Sequence, residues 1–183
     1  MSKRIYLTAA FCVLSALPVI AKKQSDDVKD YIATAQQKAR AWQPDAQLVY
    51  VTVGSSVKPD GSNLCDPEHP STGWNYAYYS KATDAYYTIY GCKGSVSGEP
   101  TGKGFEKPPP PITQDFIGTG QVVDILNEVA QGWHLARCQS VQALRAGDEA
   151  TPVWATMLDC GDVGGSVTID ATSGKVLKSK RTS

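Results

Sequence analysis

The chain of 183 residues is electrically balanced, with 18 basic residues, 18 acidic residues and two histidines. Nucleic acids and anionic membranes attract concentrated positive charge, so this balance speaks against either of them as a partner. The length suffices for one domain or for two small ones.

Residues 1–21 have the features of a secretory signal peptide. Lys3 and Arg4 supply the positive start, and an apolar stretch follows up to a cleavage position near Ala21. A membrane anchor is the alternative, but the stretch of about 16 residues is shorter than the ~20 that a spanning helix needs. We therefore expect a periplasmic or secreted mature protein that does not span the membrane. Its formal charge is −2, because two of the 18 basic residues are removed and all 18 acidic residues remain.

A first folded unit is predicted over residues 22–97. Ser25, Asp26 and Asp27 offer a helix N-cap and early negative charge, and apolar residues then recur at helical spacing until Pro44 stops the helix. Runs rich in β-branched and aromatic residues follow, separated by Gly and polar turn residues. The predicted elements are a helix over 28–42, strands over 48–53, 74–79 and 86–90, and a long loop over 58–72.

Residues 98–113 are predicted to link this unit to a second one over residues 114–183. The link contains several glycines and, near its end, four consecutive prolines, which favours a stiff spacer, although a packed strap crossing between the units is the alternative. Thr119 is a plausible cap for the second helix. The predicted elements are a helix over 119–133, strands over 138–144, 152–158 and 166–170, and a short extension over 175–177.

The two units read as copies of each other. Residues 87–96 align with residues 167–176 at an offset of 80, and the same offset carries Trp74 onto Trp154. The helices need an offset of 91 to align Trp42 with Trp133, so 11 extra residues must lie in the 58–72 loop. A fixed internal repeat indicates a duplicated structural unit. The sequence therefore predicts an α+β protein with two tandem units, each a helix on an antiparallel sheet.

Four cysteines remain in the mature chain, and an even number in an exported protein indicates two disulfides. Three pairings are possible, and the repeat favours one bridge in each unit, Cys65–Cys92 and Cys138–Cys160. A hairpin that pairs Leu144 with residues 152–153 would also place Cys138 opposite Cys160. A zinc site is disfavoured, because consecutive cysteines lie more than 20 residues apart.

The end of the second unit resembles a PepSY domain. The resemblance rests on a V-x-I-D-A-x-x-G-K-V-L pattern that runs from Val167 to Leu177, and it extends through Trp154 to the preceding helix. The first unit departs from the pattern, since Tyr90 replaces the acidic residue Asp170. The resemblance implies a binding or inhibitory module rather than an enzyme. The layout of two small α+β units is also similar to that of secreted β-lactamase inhibitor proteins.

The sequence contains no catalytic constellation, so we predict no catalytic residue, no metal and no cofactor. Asp66, Glu68 and His69 are the alternative, because together they could serve a small metal-dependent or hydrolytic enzyme. Pro67 separates these three side chains, and closely spaced mixed ligands rarely converge on one ion. Asp170 is expected to stabilise a turn, since Asp bonds nearby backbone amides.

All eight tyrosines of the mature chain lie in the first unit, six of them between Tyr76 and Tyr90. Strand alternation predicts that Tyr87 faces the core and that Tyr79, Tyr86 and Tyr90 face outward as a binding surface for a protein or peptide. A register shift of one residue would reverse this assignment. The leading hypothesis is a non-enzymatic binding module. A purely structural envelope component, in which these aromatic residues only pack the core or the junction, is a further alternative.

Overall fold

The computed structural model describes residues 26–102, 107–147 and 151–182. The signal-peptide prediction for residues 1–21 lies outside these ranges. Within them the protein has an α+β fold with two α-helices and one eight-stranded antiparallel sheet. The elements are α1 (Val28–Trp42), β1 (Gln47–Val53), a 3-10 turn (Pro70–Thr72), β2 (Trp74–Ser80), β3 (Ala85–Cys92), β4 (Ser95–Gly102), α2 (Thr119–Gly132), β5 (Gln139–Ala146), β6 (Pro152–Asp159), β7 (Gly164–Asp170) and β8 (Val176–Thr182).

The strand order is β4-β3-β2-β1-β5-β6-β7-β8. Each half of the chain therefore contributes a helix followed by a four-stranded meander, and the halves join through the antiparallel pair of β1 and β5. Thr52 lies opposite Ala143 at this junction. The predicted α+β class is confirmed, but the two halves share one continuous sheet.

The predicted linker over residues 98–113 is wrong at its start. Residues 98–102 belong to β4, which pairs with β3 from Tyr86 to Cys92. Its glycines and Pro100 are typical of a loop, so the sequence did not indicate a strand here. These residues are tolerated because β4 is an edge strand with one unpaired side. The short extension predicted over 175–177 likewise proves to be a full strand, β8.

Both helices pack on the same face of the sheet. Tyr76 donates a hydrogen bond from its hydroxyl to the Val28 carbonyl at the start of α1, 2.5 Å away. In the second half, the Trp133 ring at the end of α2 lies against Gly165 of β7, where a Cβ atom would come within 2.5 Å of the ring. Tyr76, Val51, Leu144 and Trp154 are joined by direct cross-strand pairing, so they point to this same face.

The two tryptophans aligned by the repeat occupy corresponding places in the core. Trp74 and Trp154 are both fully buried, and their ring centroids are 6.3 Å apart in an edge-to-face arrangement. Trp74 donates its indole N–H to the Asp26 carbonyl, and Trp154 donates to the Ile117 carbonyl. Each acceptor lies two residues before the first residue of its helix. The indoles therefore fix both helices to the sheet in the same way.

The two helix N-termini meet at Asp27, the N-cap of α1. Its Oδ1 accepts the Lys29 amide of α1 at 2.9 Å, and its Oδ2 accepts the Gly120 amide of α2 at 3.1 Å. The Val28 amide donates in turn to the Thr119 hydroxyl. A carboxylate is favoured at a helix N-terminus by the unpaired amides and the helix dipole, and here one carboxylate serves two helices.

The disulfide pairing is confirmed as Cys65–Cys92 and Cys138–Cys160. The second bridge follows from the hairpin register, since Leu144 lies opposite Trp154 and Gln139 opposite Asp159. The first bridge ties the long loop between β1 and β2 to the end of β3. Each bridge thus closes a segment within one half of the fold.

The proline-containing segment before α2 lies against the first half rather than free of it. The Ile112 amide donates to the Leu48 carbonyl of β1 at 2.7 Å, and the Lys29 ammonium contacts the Asp115 carboxylate at 2.9 Å. Phe116 packs its ring against Trp154 of β6, so the segment contacts the second half as well. These contacts match the packed strap rather than a spacer. In the described ranges, neither helix is long and apolar enough to cross a bilayer.

Candidate functional site

The sheet side opposite the helices, which we call the open face, is the candidate functional surface. Side chains there come from alternate residues of every strand, and most are partly or fully exposed. Neither described helix packs against this side. Two apolar side chains on it are strongly exposed: Met157 at 65% and Val141 at 47%. They lie directly opposite each other on β6 and β5 and so form one contiguous patch.

The predicted strand alternation is confirmed. Tyr87 lies on the helix side, where its ring stacks on Trp42 at 5.2 Å. Tyr79 and Tyr86 are directly paired across β2 and β3 on the open face, and Tyr90 follows on the same side of β3 next to Asn75. The register thus places all three predicted binding tyrosines on one face. Tyr86, Thr88 and Tyr90 are alternate residues of β3, so their side chains point to the same side of the sheet.

The exposure of these tyrosines differs from the prediction at one position. Tyr86 is only 3% exposed, so its side chain offers almost no surface to a partner. Its ring centroid lies 5.0 Å from that of its cross-strand neighbour Tyr79, which is partly exposed. Tyr79 and Tyr90 are therefore the accessible tyrosines of this face. Their hydroxyls donate to the carboxylates of Asp84 and Glu99, each at 3.0 Å.

The phenols remain neutral hydrogen-bond donors at physiological pH. Desolvation raises the pKa of Tyr79 and Tyr90 above the ordinary value, and the bonds to Asp84 and Glu99 raise it further because they favour the protonated phenol. Desolvation also raises the pKa of Tyr86. None of these pKa shifts favours the phenolate form of the side chain.

The second half of the open face was missed by the sequence analysis. A row of small side chains crosses the sheet beside the Val141–Met157 patch, with each member directly opposite the next: Thr52, Ala143, Ala155 and Thr168. The small side chains form the floor of a shallow groove, and the larger Tyr50–Arg145 and Val141–Met157 pairs flank it on its two sides. Relief of this kind allows a protruding segment of a partner to come close to the backbone.

Polarity is inverted at a few positions of β5 and β6 relative to an ordinary half-buried strand, although Leu144, Trp154 and Leu158 are buried on the helix side as expected. Gln142, Ser140 and Thr156 are buried on the helix side, while the apolar Val141 and Met157 face outward. All three side chains have a hydrogen-bond partner, because Gln142 donates to the Ser140 hydroxyl and Thr156 donates to the Val167 carbonyl. This inversion is the sequence feature that could have indicated the apolar patch on the open face. It can be recognised only when it is known which residues of β5 and β6 point to each side of the sheet.

The long loop between β1 and β2 reaches the Tyr90 end of this surface. The Asn75 amide donates to the Ser71 carbonyl at 3.0 Å and fixes the 3-10 turn beside the strand. Pro70 and Ser71 then line a shallow depression of about 400 Å³ together with Tyr90 and Glu99. The loop therefore extends the open face at one end, in the first half of the fold.

The proposed metal ligands in the loop do not converge. Asp66 accepts the Glu68 backbone amide at 2.9 Å and forms a backbone bridge with His69, so it stabilises a local turn. Across residues 26–102, 107–147 and 151–182, no three His, Cys, Asp or Glu side chains are grouped as they would be around a metal ion. The loop geometry gives no support to the enzyme alternative.

Asp170 has the turn-stabilising contacts expected of it. Its Oδ1 accepts the Ser173 amide at 2.7 Å, the Thr172 amide at 3.0 Å and the Ser173 hydroxyl at 2.9 Å. The bond from the Ser173 amide is the largest cause that lowers the pKa of this carboxyl. Gly174 follows at φ +77°, which glycine adopts without steric cost. Asp170 therefore serves the turn before β8.

The fold is similar to one already observed. The crystal structure of a candidate lipoprotein from Clostridium difficile 630 matches with a TM-score of 0.52, covering 82% of this chain and 92% of that chain at 12% sequence identity. At this identity the likeness concerns the fold alone. No family model matches the chain, and no curated protein does. The two disulfides are typical of an extracytoplasmic protein, because thiols stay reduced in the cytosol.

Proposed function

We propose that this protein is a non-enzymatic binding module that acts in the cell envelope or outside the cell. Its contact surface would be the open face, and its partner a protein or peptide. The observation that carries the proposal is the Val141–Met157 patch, which is exposed on a sheet whose described helices both lie on the other side. Exposed contiguous apolar surface is a mark of interaction sites in stable soluble domains.

The composition of the open face supports recognition over chemistry. Tyr79 and Tyr90 add partly exposed aromatic rings with polar tips, and tyrosine is one of the residue types enriched among the main contributors to binding at interfaces. The Tyr50–Arg145 pair adds a third phenol and a guanidinium beside the floor of small residues. These groups can form a central contact with a polar rim. A nucleophile with an adjacent base, which acyl-transfer chemistry needs, is not among them.

We further propose that each half is a PepSY-like unit and that the two arose by duplication. The support is the equal element order, the corresponding tryptophans with equivalent hydrogen bonds, and one disulfide in each half. An inhibitor-like role follows from this proposal, because a rigid, disulfide-closed sheet can block a partner's cleft without being remodelled. The lipoprotein description of the Clostridium protein is consistent with a place in the envelope.

A capture experiment with matched variants tests the binding function. Val141→Glu with Met157→Glu would place two charges in the patch, whereas Ala33→Glu with Ala41→Glu adds the same charge at exposed positions of α1. Proteins retained from envelope and extracellular fractions would be identified by mass spectrometry, purified and titrated against each form. We expect the open-face variant to lose at least 100-fold in affinity, since two buried charges each cost several kcal/mol. We expect the helix variant to bind normally.

The opposite pattern would overturn the proposal. Equal binding by the open-face variant, or loss confined to the helix variant, would place the contact surface elsewhere. Stoichiometric metal in the purified protein that is lost in His69→Ala would favour the enzyme alternative. Tyr79→Ala with Tyr90→Ala tests the aromatic part of the surface, since both side chains are accessible. Loss of stability without loss of the partner would favour a purely structural role for them.

A further inference from the structure

The last strand of the sheet, β8, has an unpaired outer side with a strongly basic character. It pairs with β7 on one side, and no strand in the described part of the chain pairs with the other. All seven of its residues are exposed. In an antiparallel edge strand, alternate residues direct their N–H and C=O groups outward, where they can accept another strand.

The charges of β8 are arranged by face. Lys178 lies opposite Thr168 and Lys180 opposite Ser166, so both ammonium groups stand on the open face. Arg181 lies on the helix side, where its guanidinium donates to the Trp133 carbonyl at 3.1 Å. The sequence from Lys175 to the end contains four basic residues and no acidic residue. A strand added beyond β8 would therefore meet positive charge on both faces.

We propose that β8 is a docking edge for an extended acidic segment of a partner protein, which would add a ninth strand to the sheet. Cross-strand neighbours have Cβ atoms about 4.5–5.5 Å apart, so acidic residues at alternate positions would face Lys178 and Lys180. The side chain opposite Leu177, which is 53% exposed, would be apolar. The affinity would come from backbone hydrogen bonds and the selectivity from this alternation.

Charge also decides between this partner and a second copy of the chain. Two β8 strands pairing with each other would bring lysines together, and like charges directly opposite destabilise a sheet. The other edge strand, β4, carries Pro100, which has no N–H to donate. Lysine on an edge strand generally discourages indiscriminate pairing. Here the same lysines discourage neutral and basic strands and leave acidic strands as the complementary class.

The inference goes beyond the proposed open-face function, because β8 lies two strands away from Met157 and uses backbone groups. The test uses the whole mature protein and a fluorescent peptide of sequence Thr-Glu-Val-Glu-Val-Glu-Thr. Two further peptides are controls: one with lysine in place of each glutamate, and one with proline in place of each valine. The proline peptide keeps the charge but cannot form a strand.

We expect the glutamate peptide to bind, and the proline peptide to bind at least tenfold more weakly. Lys178→Glu with Lys180→Glu should lower the affinity for the glutamate peptide at least tenfold and should allow the lysine peptide to bind instead. The matched control, Lys38→Glu with Lys81→Glu, makes the same charge change at exposed positions of α1 and the β2–β3 turn and should leave binding unchanged. Amide exchange in β8 should slow when the glutamate peptide is bound.

Several results would overturn the inference. Equal binding of the glutamate and proline peptides would show general charge attraction without strand pairing. An equal loss of affinity in the Lys38→Glu with Lys81→Glu control would also show general charge attraction. Concentration-dependent dimers that disappear in the β8 variant would assign this edge to a second copy. Circular dichroism of each variant checks that the fold is retained. Val141→Ala with Met157→Ala adds no charge to the cross-strand row that leads from Met157 to Lys180, so this variant should bind the peptide normally whether or not the open-face function holds.

Discussion

Gly91 of β3 and Tyr31 of α1 provide a sharp test of how the first half is packed. A Cβ atom at Gly91 would lie 2.6, 2.9 and 3.0 Å from three carbon atoms of the Tyr31 ring. The ring is held in place, because its hydroxyl contacts the Asp26 carboxylate and accepts the Gly94 amide. Gly91→Ala therefore forces atoms into space that is already filled, and neither the strand nor the ring can easily move away.

The expected cost follows from two opposing effects. Overpacking a core costs about 1–3 kcal/mol. Gly91 does not have a positive φ, so alanine also recovers about 0.4–1 kcal/mol by restricting the unfolded chain. We expect a net loss of about 1–2 kcal/mol in the free energy of unfolding. At about 2–4 °C per kcal/mol, the melting temperature should fall by roughly 2–8 °C.

Urea and thermal unfolding with the disulfides intact provide the measurement. Gly120→Ala is the matched control, because a Cβ atom there meets nothing within 4 Å and the residue lies in α2. Its expected effect is neutral or stabilising, since alanine favours helices by up to about 1 kcal/mol over glycine. A change below about 0.5 kcal/mol for Gly91→Ala would refute the packing argument.

The second half indicates how this clash could be relieved. By the repeat alignment, the positions that correspond to Tyr31 and Gly91 hold Val122 and Ala171, both of which are buried. A smaller helix side chain there accompanies a methyl group at the residue that follows β7. Tyr31→Val alone should destabilise, because it leaves a cavity and removes the hydroxyl contacts. Gly91→Ala should lower the free energy of unfolding by at least about 1 kcal/mol less when it is combined with Tyr31→Val than when it is made alone. Strictly additive effects would contradict the equivalence of the two halves.

Three further predictions concern the caps, the turn and the bridges. Asp27→Ala should lower the free energy of unfolding by about 1–2 kcal/mol in urea, because one carboxylate caps two helices, and a loss below about 0.5 kcal/mol would contradict this. Asp170 has a lowered pKa in the folded state, so its stabilisation is present above the unfolded value of about 3.9 and is lost as the pH falls through the folded value. Asp170→Asn should therefore flatten the fall of the melting temperature below about pH 4, and an unchanged acid profile would exclude this role. Replacing Cys138 and Cys160 by alanine should cost about 2–5 kcal/mol in the same urea assay, and unchanged stability would show that the bridge does not constrain the unfolded chain.

Local chemistry in the sequence determined much of this protein. Helical spacing located α1 and α2, and strand alternation placed Tyr79, Tyr87 and Tyr90 on their observed faces. The internal repeat selected one of three disulfide pairings, and the turn chemistry of Asp170 was read from its neighbours. These features depend on residues a few positions apart, or on a copy of the same pattern, so they survive without knowledge of the tertiary structure.

Long-range contacts decided the rest. The pairing of β1 with β5 joins residues about 90 positions apart, and no local pattern specifies that two meanders will share one sheet. β4 resembles a loop in the sequence and becomes a strand only because the outer side of β3 is free to pair. Strand alternation predicted that Tyr86 is exposed on the open face, and it does lie on that face, but neighbouring residues bury its side chain. The open face with its Val141–Met157 patch, and the basic edge of β8, exist only once both helices lie on one side and every strand has its register.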